Sequence, residues 1–196
     1  MPPTTTPSAS AAPDAECLAL TRGLRRRGTL VLSVFALVWA FAAASGTGSA
    51  TDAVPLALEG AALLVTAAAC YLAYRPGAAP SPRTVNLPEK WARGVGVVNG
   101  VELVAIFAVI AAANASGRPG LVPAGVALVV GLHFFPLARL YDQWQYRWTA
   151  VLLTVVAVVG LALHAVGRSD ESVRVVVGLA SAAVLWGSAY HVALRG

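Results

Sequence analysis

Charge is what this sequence has least of. Nine acidic and fourteen basic residues make up 12% of its 196 positions, against roughly 25% in soluble domains. A soluble fold of this length needs a polar coat that so few charges cannot supply. Cysteine is also scarce. Cys17 falls in a polar tail and Cys70 in an apolar run, which leaves no disulfide framework and no metal-ligand spacing. A phosphate-binding glycine loop, a catalytic triad signature and a lipidation signal are missing too. No Asp-rich motif for a diphosphate and its magnesium occurs, which excludes prenyltransferase chemistry of that kind. No cofactor or metal is implied.

What is present is apolar, 58% of the chain, and it comes in runs. The first, from Gly28 to Ser45, has no charge. Five more follow: Ala53–Tyr74, Ala92–Ala113, Leu121–Leu140, Trp148–Val166 and Val173–Leu194. Each is close to the roughly 20 residues that a helix needs to cross a bilayer. Turn and breaker clusters separate them, and the link between the second and third runs holds four prolines, which predicts an extended surface segment. The fold expected is all-α, a polytopic bundle of six transmembrane helices. Residues 1–27 read as a disordered tail ending in basic residues, and residues 28–196 as the transmembrane domain. Arginines before an apolar run also describe a signal peptide. The length of the run, the long tail before it and the spans after it favour retention.

The net charge of +5 would point to nucleic acid in a soluble protein. Here the distribution of the cations explains it better. With six spans, the termini and the even-numbered links share one side. That side holds Arg22, Arg25, Arg26, Arg27, Arg75, Arg83, Lys90, Arg93, Arg139, Arg147 and Arg195. The other side holds Arg118, Arg168 and Arg174. Basic residues concentrate in cytoplasmic loops, so both termini are expected in the cytoplasm and the protein in the plasma membrane. The partner implied is the lipid bilayer, with no role for nucleic acid. Tyr71, Tyr74, Trp91, Tyr141, Trp144, Tyr146 and Trp148 gather at the same predicted interface, as aromatic belts do.

Glu59 and Glu102 are the carboxylic acids inside predicted spans, both away from the cytoplasmic interface. A charge at such a place costs about 2.5–3.5 kcal/mol on insertion scales, so these positions are the best functional pointers in the chain. Hydrocarbon disfavours the charged form, and an acid held neutral can donate a proton. The bland alternative is that Glu102 bonds a partner such as His133 or Asn99 and ties helices together. Asn99 and Glu102 are three residues apart and share a helix face. Gly96 and Gly100 make a GxxxG pattern beside them, a weak signal in so Gly- and Ala-rich a chain. Pro136, one turn after His133, is expected to kink the fourth span by removing a backbone hydrogen bond.

The segment Gly131 to Leu140, GLHFFPLARL, resembles a G-x-H-F-x-P-L-A run of small uncharacterised bacterial multi-pass membrane proteins. That resemblance implies the fold and a role for His133, Phe134 and Pro136, and no activity. In plan the chain also looks like the integral-membrane terpene cyclases. That likeness implies proton-initiated cyclisation of a lipophilic substrate, with Glu59 and Glu102 as catalytic acids. Trp39, Asn99, Phe107, His133, Phe134, Phe135 and Trp186 would then line the pocket, the aromatic rings stabilising carbocations. A proton-coupled or small-solute transporter fits the same residues, because Glu59, Glu102 and His133 would form a polar track through the bilayer. A non-catalytic membrane partner protein is a further alternative, and a homodimer is compatible with all three.

Overall fold

The computed structural model describes residues 11–75 and 89–195, with side chains from residue 19 onward. The described chain is all-α. Its helices are α1 (Ala11–Ala44), α2 (Ala53–Tyr74), α3 (Trp91–Ala115), α4 (Val122–Leu140), α5 (Gln145–Ala165) and α6 (Asp170–Arg195), with a short 3-10 turn at Pro119–Leu121. All six are long and apolar enough to cross a membrane. The expected runs and the observed helices agree within a few residues at most ends. The exception is α1, which begins at Ala11, so residues 11–27 are helical where a disordered tail was expected. The reason lies in composition: Ala, Leu, Glu and Arg there are strong helix formers, and Pro13 sits in the first turn, where proline is tolerated. The proline-rich link, with Arg83, lies outside the described residues.

α6 is the centre of the bundle. It packs against α1, α2, α4 and α5. Its buried positions, including Val173, Val177, Ser181, Leu185, Ala189 and Val192, recur every three or four residues and form one face. α6 comes against the α1 backbone at Gly178. A Cβ there would lie 2.8 Å from the Trp39 carbonyl oxygen and 2.8 Å from the Ala43 Cβ. The absence of a side chain therefore sets the α1–α6 distance, as small residues do between helices in lipid, where dispersion contacts replace the hydrophobic effect. α4 approaches α5 in the same way, a Cβ at Gly131 meeting the Thr154 amide nitrogen at 2.9 Å.

α2 and α3 are the outer helices. α2 packs on α1 and α6, and α3 on α4 and the 3-10 turn; α2 and α3 do not pack on one another. Ala113 is the buried residue of α3. Fixed polar ties hold α6 to its neighbours. The Trp186 indole Nε1 donates to Thr66 Oγ1 of α2 at 3.0 Å, and the Tyr190 hydroxyl donates to the Val65 carbonyl at 3.0 Å. Thr149 of α5 and Ser188 share a hydroxyl–hydroxyl bond.

Candidate functional site

Glu102 lies eleven residues into α3, about 17 Å along a helix that rises about 1.5 Å per residue. Its side chain points at α4. Oε2 is 3.0 Å from Nδ1 of His133, with 16% and 8% of the two side chains accessible. This joins two ionisable groups across one helix–helix seam at mid-span. The distance is that of an ion pair, while Nδ1 lacks the angle of a hydrogen bond. The contact is therefore close without being locked in orientation.

Local structure explains the position of His133. Gly131 brings α4 against the α5 backbone, which faces the next residues of that turn sideways. Phe134 turns inward and is 7% exposed. Its ring meets the Tyr146 ring edge-on at 5.6 Å, and the His133 ring meets Phe134 at 5.6 Å. The series continues through Tyr141, 6.0 Å from Tyr146, to Trp91, 5.6 Å from Tyr141. Edge contacts of this kind are favourable between aromatic rings, and here they brace His133 from below. Burial pushes the Tyr141 phenol, in the turn after α4, above its usual titration range. α4 stays helical through Pro136, which leaves the Leu132 carbonyl without its helical donor one residue before His133.

The other candidate residues do not assemble around this pair. Glu59 is half-buried on α2, a helix that does not pack on α3. Asn99 is exposed on α3. Phe107 and Phe135 are 63% and 40% exposed, facing outward. Trp39 is buried on α1, and Trp186 is bonded to Thr66. Phe107 and Phe135 thus lie outside the apolar core that holds Trp39 and Phe134 and packs against Trp186, and the Phe134 ring meets that of His133.

Two polar features were missed by sequence reasoning. Thr21, Arg25, Thr29 and Ser33 are spaced four apart on α1, and all are buried. Arg25 donates from Nη2 to the Ala73 carbonyl at 3.5 Å, so it serves the α1–α2 contact as well as charge placement. The i, i+4 spacing of polar residues was the available signal. The hydroxyls of Thr29, Ser33 and Ser181 have no hydrogen-bond partner among the described residues. At the other end of the bundle His164 Nδ1 lies 3.6 Å from Asp170 Oδ1, a pair formed across the α5–α6 turn. Gly120 makes room for that carboxylate, since a Cβ there would collide with it.

Six apolar spans define a multi-pass membrane protein. Residues 95–190 match the family described as "Family of unknown function (DUF7010)". The match takes in almost all of α3, the whole of α4 and α5, and most of α6, with Glu102 and His133 among them. It covers just under half of the 196 residues and is a likeness to that family over this stretch. No curated protein matches the chain, and no solved structure matches it.

Proposed function

We propose that this protein is a proton-coupled carrier of the plasma membrane, with both termini cytoplasmic. Glu102 and His133 are its proton-binding pair. The observation that carries this reading is their 3.0 Å contact across the α3–α4 seam. Ionisable residues inside spans face protein or water-filled paths and mark proton and ion routes. α3 is held by α4 and the 3-10 turn, so a change in the charge of the pair acts on the least anchored helix. The concentration of basic residues and aromatic rings at one end supports the cytoplasmic assignment. The cyclase reading asks for two acids and several rings around one cavity, and the placement of Glu59, Phe107 and Phe135 does not favour it.

The test is proton uptake by liposomes containing the purified chain, driven by an imposed potassium diffusion potential. Uptake above empty liposomes is expected. Glu102→Gln should lower it by at least about tenfold, since the group that changes charge is removed. Glu59→Gln should leave it near the wild-type rate. Uptake equal to empty vesicles, or full uptake by the Glu102→Gln protein, rejects the reading and leaves the pair as a tie between helices.

A further inference from the structure

A groove of about 510 Å³ runs between α3 and α4 at the end of the bundle where α3 begins. This is within the roughly 300–1,000 Å³ of ligand sites. Its mouth carries Lys90, Arg93 and Arg139, and among the described residues no carboxylate lines it. Glu89 and Asp142 are near in sequence and lie outside the lining. The Glu102–His133 and His164–Asp170 contacts lie elsewhere in the bundle.

Lys90 and Arg93 sit at the cap and in the first turn of α3, and that turn holds no acidic residue. Free backbone N–H groups and the helix dipole make this end positive, so cations there repel it and an anion is favoured. Arg139 belongs to the last turn of α4. The three cations thus converge from two helices on one mouth.

Above the mouth the walls are apolar. Val97 and Val98 line one side, Pro136 and Leu140 the other. Leu140 rests on Gly94, where a Cβ would lie 2.9 Å from Cδ2, and this contact closes the floor. From Lys90 to Val98 is eight residues, about 12 Å along the helix, which carries the wall from the interface into the hydrocarbon. Val97 is 59% exposed, so the groove opens sideways to the bilayer.

We propose that this groove binds an anionic phospholipid of the surrounding membrane, its phosphate held by Lys90, Arg93 and Arg139 and an acyl chain laid along Val97, Val98 and Pro136. Basic pockets between spans are suited to such headgroups. An amphiphile satisfies both halves of the groove, whereas a free anion meets the mouth alone. The assignment stands apart from the carrier reading, because it uses neither Glu102 nor His133.

The test is native mass spectrometry of the full chain, delipidated and offered phosphatidylglycerol or phosphatidylcholine in equal amounts. Retention of phosphatidylglycerol should exceed that of phosphatidylcholine by about tenfold or more, since the three cations attract a net anionic headgroup over a zwitterionic one. The combined Lys90→Gln, Arg93→Gln and Arg139→Gln protein should bring the ratio near one. Val97→Trp, which keeps every cation and fills the groove, should lower phosphatidylglycerol retention several-fold. Arg168→Gln with Arg174→Gln, at the opposite end, should change nothing. The proposal is overturned by a preference that survives the triple substitution, by Val97→Trp retaining lipid in full, or by equally effective displacement with inorganic phosphate.

Discussion

α3 and α6 are nearly equal in length, 25 and 26 residues, and both are apolar enough to cross a membrane. α6 touches four helices and α3 touches one. The difference lies in where polar and small residues fall. α6 bonds its neighbours through Trp186, Ser188 and Tyr190, and meets the α1 backbone at Gly178. On α3, Cβ atoms at Gly96 and Gly100 would meet nothing within 4 Å, and Asn99 is exposed. Yet α3 supplies Glu102. In a bilayer an apolar surface has no preference for protein over lipid, so packing is decided by fit and by polar ties. The central helix is the one with the most such ties, and the ionisable pair lies on the helix with the fewest.

The largest effect expected from this contrast is at Gly178. Gly178→Leu forces α1 and α6 apart at Trp39 and Ala43, and should cost about 3 kcal/mol, the upper range for overpacked sites. Denaturation of the purified protein in detergent, followed by helical circular dichroism, measures it. A loss below about 1 kcal/mol would mean that the α1–α6 seam yields easily, and the contrast with α3 would fail.

The next effect concerns the polar contact between Glu102 of α3 and His133 of α4. Glu102→Leu, His133→Leu and the double variant form a cycle that isolates their interaction. A coupling near 1 kcal/mol is expected, within the range of up to about 1.7 found for polar pairs between membrane helices. A coupling of zero would make the 3.0 Å contact incidental to stability, and α3 would then depend on packing alone.

Much of this architecture was legible in the sequence, and the reasons are local. Span length is set by bilayer thickness, so the apolar runs marked six helices. Glu102 stood out because a mid-span carboxyl is costly, and its partner was among the candidates because His133 is another rare ionisable group in a span. Inter-helix geometry was the part beyond reach. Nothing local to Glu59 says that α2 and α3 do not pack on one another, and nothing local to Phe107 says that its face is outward. Lipid-facing and protein-facing positions are both apolar here, so the periodicity that marks a buried face in water carries little contrast. Arg25 was hidden for the opposite reason, since a plausible topological role explained its charge before its burial was known.

The smallest effect tests whether the outer face of α3 is open to lipid. Phe107 is 63% exposed and Gly100 has free space around its Cβ position. Phe107→Ala and Gly100→Leu should each change stability by less than about 0.5 kcal/mol, as expected of surface positions away from any contact. A single chain leaves these residues in hydrocarbon, where shortening or lengthening an apolar side chain exchanges lipid contacts for lipid contacts. A second copy seated on Gly96, Asn99 and Gly100 would change that, because Leu at position 100 would then separate two backbones, and the cost would rise above about 1 kcal/mol. Measuring both variants at two protein-to-detergent ratios separates the cases. A small effect independent of the ratio keeps α3 as a lipid-facing helix, and a large one that shrinks on dilution makes it a dimer face, with α3 then packed on two sides much as α6 is on four.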